Sequence, residues 1–229
     1  MRTAIIVFPG TNRELDMAKA VKHVSGHEPE LVWHKETSLK NYDLMILPGG
    51  FSYGDYLRCG AMAAHSPIMQ EVIAKAKSGT RLLAVCNGFQ MLVETGLVPG
   101  ALLRNAGLKF ICKQVHLRTE NNSTDFTHKL TSNQVIRVPV AHGEGNYFVS
   151  NDTVKMLEDN DQIAFRYTNA LGEATTDANP NGSIANIAGV FNETKTIMGM
   201  MPHPEDAVVP HAGNQSGTPL FTSIVEALA

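Results

Sequence analysis

The sequence predicts an α/β fold, a mostly parallel sheet wrapped on both faces by helices, and three observations predict it. Short apolar runs alternate with amphipathic stretches through the first half of the chain. Glycine- and proline-bearing turns close most of those runs. The chain has 229 residues, 43% hydrophobic and 18% charged, which suffices to bury a sizeable core.

The elements follow in order. Residues 3–8 read as a buried strand, and Pro9-Gly10-Thr11-Asn12 offers a turn and helix caps. Leu15, Ala18, Val21 and Val24 keep helical spacing up to a stop at Ser25-Gly26. Residues 30–34 form a second strand and 43–47 a third, which Pro48-Gly49-Gly50 closes. A glycine- and aromatic-rich loop, 51–60, precedes a helix over 61–77 that Pro67 kinks or divides. Residues 81–85 are the fourth strand and 87–95 its helix. Beyond Pro99-Gly100 the pattern turns to sheet, with strands at 109–119, 134–140, 162–167, 184–191 and 196–201. A helix over 219–228 ends the chain. No repeat, low-complexity tract or linker interrupts it, so one domain over 1–229 is expected.

Composition excludes several classes of function. Nineteen basic residues against 22 acidic ones, a net charge of −3, advertise no nucleic-acid surface. Three cysteines (Cys59, Cys86, Cys112) without a C-x-x-C pair argue against a disulfide scaffold and against structural zinc, and fit a reducing cytosol. The apolar run at 4–8 is too short for a secretory core, and no run approaches the roughly 18 residues of a membrane helix. A cytoplasmic location is expected.

The chemistry concentrates at two strand ends. Cys86 ends the run Arg81-Leu82-Leu83-Ala84-Val85 and is followed at once by Asn87-Gly88-Phe89-Gln90. Active sites in α/β sheets lie at the carboxyl ends of strands, and the positive N-terminus of the next helix favours a thiolate there. Gly88 permits the sharp turn of a nucleophile elbow. A lone buried cysteine is more often a small apolar core residue, so the histidine downstream decides. His203 and Glu205 flank Pro204 at the end of another apolar run. The prolines at 202 and 204 favour extended backbone, where residues two apart face one side. Glu205 is thereby placed to orient the imidazole of His203 toward a thiol. Alone, the same tripeptide is an ordinary surface turn.

Other segments are less decisive. The Gly49-Gly50-Phe51 turn offers backbone N–H groups to an oxyanion, together with that of Asn87, or is an ordinary glycine turn. The strand end Ala141-His142-Gly143-Glu144-Gly145 places polar groups around an amino acid, although His142 fits a structural hydrogen-bonding role equally well. His211 is a reserve base in a polar loop. Cys112 reads as core, and Cys59, beside Arg58, is a rival nucleophile without an elbow.

These residues resemble a known family. Ala84-Val85-Cys86-Asn87-Gly88-Phe89-Gln90, with Pro48-Gly49-Gly50 before and His203-Pro204-Glu205 after, is similar to the triad (class I) glutamine amidotransferases. Their usual first motif glycine is Ala84 here, nearly as small. More narrowly, Gly49 through Ala61, with Asp55-Tyr56-Leu57-Arg58 inside it, resembles the glutaminase subunits of phosphoribosylformylglycinamidine synthases. Ala141-His142-Gly143-Glu144-Gly145 and Phe8-Pro9-Gly10-Thr11-Asn12 share that likeness.

The resemblance implies a flavodoxin-like three-layer sandwich and a thioester mechanism. Cys86 attacks the carboxamide of L-glutamine, and His203 and Glu205 complete the triad. The amides of Gly50, Phe51 and Asn87 hold the oxyanion, while Gln90, His142 and Gly143 contact the substrate. No G-x-x-x-x-G-K-[ST] is present, so this chain is expected to hold no cofactor or metal of its own. The resemblance places ATP and magnesium on a larger synthetase subunit that converts formylglycinamide ribonucleotide to its amidine, and implies a small accessory subunit besides. Segments 51–60 and 10–16 are candidate docking surfaces, or simply pack locally. Asp55, Arg58 and Glu144 have no role assigned. Two alternatives remain: a DJ-1/PfpI-like cysteine hydrolase using an early carboxylate such as Glu14, and a glutamine-sensing binding module.

Overall fold

The computed structural model describes residues 1–56, 58–210 and 213–229. Strand β1 (Thr3–Val7) pairs in parallel with β2 (Glu30–Trp33) and β3 (Leu44–Leu47), and β3 pairs with β4 (Arg81–Val85). All five residues of β10 (Ile187–Phe191) and all four of β11 (Ile197–Met200) are buried. The nine-stranded sheet runs β2-β1-β3-β4-β11-β10-β9-β6-β7, where β6 is Ile111–Thr119, β7 Val135–His142 and β9 Ile163–Thr168. Its β2 to β11 half is parallel and its β11 to β7 half antiparallel, so the sheet is more evenly mixed than the alternation at the N-terminal end suggests.

Helices form where apolar spacing and caps agree. α1 (Glu14–Ser25) buries Met17, Ala18, Ala20 and Val21 and stops at Gly26, whose φ of 72° suits glycine. Pro67 divides the expected 61–77 helix. α2 is Ala61–Ala64, Ser66 is extended, and α3 (Pro67–Lys77) starts on the proline, whose missing N–H costs nothing in a first turn. α4 (Asn87–Glu94) is buried over its first six residues. Between α4 and β9 lie β5 (Ala101–Leu103), which pairs with β8 (Asn146–Phe148), and α5 (Asn151–Asp159). The strand pattern had not marked these three elements. The expected strand over 184–191 is shortened, because Ile184–Asn186 is a 3-10 turn with Ala185 at φ 50°. α6 (Thr218–Ala227) closes the chain against α1.

Two features bring distant residues together. β11, though last in sequence, inserts beside β4 in register Met200 to Val85, and the Cys86 N–H donates to the Met200 carbonyl at 2.8 Å. The far edge strand β7 curls back over that point. The N–H of His203 donates to the Pro139 carbonyl at 2.9 Å, and the Cys86 Sγ lies 3.7 Å from the Ala141 carbonyl oxygen. The buried apolar side chains form one continuous core.

Candidate active site

Cys86 stands between β4 and α4 with φ 52° and ψ −109°, a conformation that a non-glycine residue holds only under strain from its surroundings. Its side chain is buried. The elbow needs Gly88, since a Cβ there would come 2.0 Å from the Leu47 carbonyl oxygen. β3 and α4 thus touch backbone to backbone beside the thiol.

His203 and Glu205 come from the turn after β11. The His203 Nδ1 is 2.7 Å from Glu205 Oε1, both side chains are buried, and Nε2 has no protein partner among the described residues. Burial pulls the imidazole down, yet the charges of Glu205 and Cys86 together hold its pKa well above the usual histidine value. Gly49 leaves both groups room, because a Cβ there would lie 2.7 Å from His203 Cε1 and 3.5 Å from Cys86 Cβ. Arg13 stands behind the pair. Its guanidinium bonds Asp16 at 3.0 Å and also Asp206, the neighbour of Glu205. Nothing in the pattern of residues 10–16 had singled it out.

The cavity at Cys86 has a volume of about 300 Å³, and Gly50, Phe51, Gln90, His142 and Gly143 all line it. Their parts differ from the expectations. The Phe51 N–H already donates to the Gly10 carbonyl at 2.9 Å and is not free for an oxyanion, because residues 10–12 pair with 49–51 as a short bridge. Of the expected donors, the Gly50 amide has no acceptor among the described residues, and the Asn87 amide opens α4, where the first N–H groups lack intrahelical partners. The Gln90 carboxamide is tied at both ends, donating to the Glu144 carbonyl at 2.7 Å and accepting from Asn87 Nδ2 at 2.7 Å.

His142, which lines the cavity, is hydrogen-bonded into its wall. Its Nδ1 meets Asn105 Oδ1 at 3.0 Å, and its ring fills the space beside Gly145, where a Cβ would clash with it at 2.4 Å. Burial first, then the charge of His203, lowers its pKa to about 4. Asn105 organises this wall: Nδ2 donates to the carbonyls of His142 and Lys109, while Oδ1 accepts the Gly145 N–H. A lone asparagine in a turn carries no sequence signal of such a role.

Asp55 and Cys59 also line the cavity. Burial, with the neighbouring carboxylates of Asp55 and Glu144, pushes the Cys59 thiol far above its ordinary value, which removes it as a rival nucleophile. Cys112 is exposed at the start of β6 rather than in the core, on a strand whose first residues face solvent. Arg58 pairs with Glu94 on α4. Glu14 opens α1, and its Oε2 is buried without a hydrogen-bond partner among the described residues. His211 lies outside the described residues.

This geometry sets a strained cysteine at the edge of a small cavity and, behind it, a buried histidine oriented by a carboxylate, and its likeness to known proteins is extensive. Residues 1–218 match a family described as the CobB/CobQ-like glutamine amidotransferase domain. The chain belongs to that family. The amidotransferase is 55% identical over 226 residues to phosphoribosylformylglycinamidine synthase subunit PurQ of Nitrobacter hamburgensis, covering 98% of this chain and 97% of the relative. The same-named subunit of a Synechocystis species is 56% identical over 203 residues, 89% of this chain and 91% of its own. Among solved structures, a chain of PurLQS from Thermotoga maritima superposes with a TM-score of 0.87 at 42% identity, covering 100% of the amidotransferase and 99% of that chain. A glutamine amidotransferase from the same organism, 15% identical with a TM-score of 0.65, shares the fold. Among the described residues no helix is long and apolar enough to cross a membrane, and no cluster of three or more metal-ligating side chains occurs.

Proposed function

We propose that the amidotransferase is the glutaminase subunit of a phosphoribosylformylglycinamidine synthase, releasing ammonia from L-glutamine for a synthetase partner in purine biosynthesis. The observation that carries the chemistry is the buried His203 Nε2 without a partner, beside the strained Cys86, on an imidazole that Glu205 holds at 2.7 Å. Near-full-length identity above 50% to subunits of that name carries the choice of acceptor reaction.

The Cys86 thiolate adds to the carboxamide carbon of glutamine. The negative oxygen that forms is held by the amides of Gly50 and Asn87. The imidazolium of His203 protonates the amide nitrogen, the C–N bond breaks, and ammonia leaves a glutamyl thioester on the sulfur. His203, now neutral, takes a proton from water, which adds to the thioester. Collapse of the second tetrahedral species expels the thiolate and frees glutamate. Glu205 fixes which imidazole nitrogen faces the sulfur. ATP and magnesium would be held by the synthetase and not by this chain, and would activate the amide oxygen of formylglycinamide ribonucleotide so that ammonia could replace it and the oxygen leave as phosphate. The exposed rings of Phe51 and Tyr56 beside the cavity suit contact with that partner, and a small accessory subunit and a cytoplasmic location complete the proposal.

The test is alkylation of the purified chain by the diazoketone analogue of glutamine, with and without extract of its own cells, followed by mass spectrometry. An adduct on Cys86 that excess glutamine blocks, with turnover stimulated by the extract, supports the proposal. No adduct, or one confined to Cys59, overturns it.

A further inference from the structure

Two carboxylates follow His203 on one short 3-10 turn, Pro204–Ala207. Glu205 is buried, with Oε1 on His203 and Oε2 without a hydrogen-bond donor among the described residues. Asp206 beside it is partly buried, and burial followed by the charge of Glu205 raises its pKa. Adjacent like charges withdrawn from water destabilise one another unless a cation stands nearby. Apart from His203, the one cation paired with either carboxylate among the described residues is Arg13, which reaches Asp206 from the start of α1.

Arg13 is tied to the site in three further ways. Its guanidinium feels the charges of Asp206, then Glu205, then Asp16, which outweigh burial and hold its pKa above the ordinary value. Its N–H donates to the Gly49 carbonyl at 3.3 Å. A Cβ on Gly49 would lie 2.7 Å from His203 Cε1 and 3.3 Å from Arg13 Cγ, so the imidazole and the arginine stem pack on the same glycine. The neighbouring elements complete the charge balance. His203 faces the charge of Cys86 and lies near enough to His142 on β7 to act on it, while Asp206 faces Arg13 and Asp16 on α1. Gly217, at the start of α6, seats against the Pro204 carbonyl and brings no charge.

Resting on the glutamine reading above, we propose that Arg13 is a positioning residue of the triad. By neutralising Asp206 it leaves Glu205 as the single carboxylate charge behind His203, so that the imidazole, having given its proton to ammonia, stays unprotonated for the attack of water. The balance matters most at that stage. The thiolate charge is gone once the thioester has formed, and the groups behind the ring then decide whether it holds a proton.

The test compares the unaltered full chain with Arg13→Met, Arg13→Lys, Asp206→Asn and the double variant Arg13→Met, Asp206→Asn. Nitrogen-15 spectra of labelled histidine follow His203, and glutamine hydrolysis is measured with extract of its own cells depleted of this chain. Arg13→Met is expected to move the His203 titration to higher pH and to lower kcat at pH 7 about tenfold. KM should fall in step, because only the step after the thioester is slowed, and kcat/KM should change little. A glutamyl thioester on Cys86 should accumulate in acid-quenched samples. The double variant, and Arg13→Lys through its retained charge, should restore the titration and kcat, while Asp206→Asn alone should move the titration to lower pH. A chain that had merely lost packing against Gly49 would lose kcat/KM and would not regain it through a second substitution. An unmoved titration in Arg13→Met, or a defect that the double variant keeps, overturns the assignment. If the unaltered chain hydrolyses no glutamine, the glutamine reading falls, and the titrations still decide whether Arg13 sets the charge on His203.

Discussion

The backbone of Gly88 lies so close to the Leu47 carbonyl that a methyl group on Gly88 would stand 2.0 Å from that oxygen. The contact sets the distance between the turn that carries Gly50 and the helix that carries Asn87. Gly88→Ala is therefore expected to push α4 off β3, destabilising the chain by about 1–3 kcal/mol and spoiling the donor geometry. Thermal unfolding should show a fall of roughly 2–12 °C, and diazoketone labelling of Cys86 should slow more than stability alone explains. Unchanged labelling would refute the contact's role.

Glu205→Gln keeps the size of the side chain and removes its charge. Glu205 is one of the two charges that hold the His203 pKa above the ordinary value, so the variant's imidazole should titrate at lower pH. Nitrogen-15 spectra of labelled histidine would follow it directly. A raised folded-state pKa means that His203 stabilises the fold fully below about pH 6.5 and that this contribution fades as pH rises through the folded value. The variant should lose that slope, and glutamine hydrolysis should fall about 100-fold or more. An unmoved titration would show that the carboxylate does not govern the base.

His142 gives the opposite slope in a different window. Its pKa near 4 in the fold, against about 6.5 unfolded, makes the unfolded chain take up a proton first as pH falls. Stability should decline between about pH 6.5 and 4, by up to roughly 3 kcal/mol from this residue, where His203 is protonated in both states and contributes no slope. Urea unfolding at pH 7 and pH 4.5 measures this, and His142→Gln should flatten the difference. A slope that survives the substitution would assign the acid loss elsewhere.

Cys59 should be the slowest of the three thiols. Burial and two carboxylates keep it protonated, so iodoacetamide at pH 8 is expected to modify exposed Cys112 and the active-site Cys86 well before it. Peptide mapping over time gives the order. Early modification of Cys59 would contradict the environment described for it.

The strand ends that carry Cys86 and His203 were legible because each combined a local signal with a chemical one, an apolar run followed by glycine or proline. The division of 61–77 at Pro67 was legible for the same reason. α5 was not, since its core-facing side is only Val154 and Leu157, a single turn of apolar spacing that is too short to register as a period. β5 and β8 are three residues each, too short for a period to register. The site's remaining departures depend on partners far along the chain. The Phe51 amide is occupied by Gly10, and His142 is held by Asn105, neither of which any local pattern announces. The charges at Asp55, Arg104, Lys109 and Glu144 converge only because three separate turns meet over one strand end.

The insertion of β11 beside β4 also sets an order in time. Cys86 is synthesised well before β11, whose Met200 carbonyl accepts its N–H, and before His203 and Glu205. A nascent or truncated chain ending before residue 196 carries a thiol with no base, no carboxylate and no partner for the Cys86 amide. The strained turn at Cys86 therefore has nothing to close against until β11 is made.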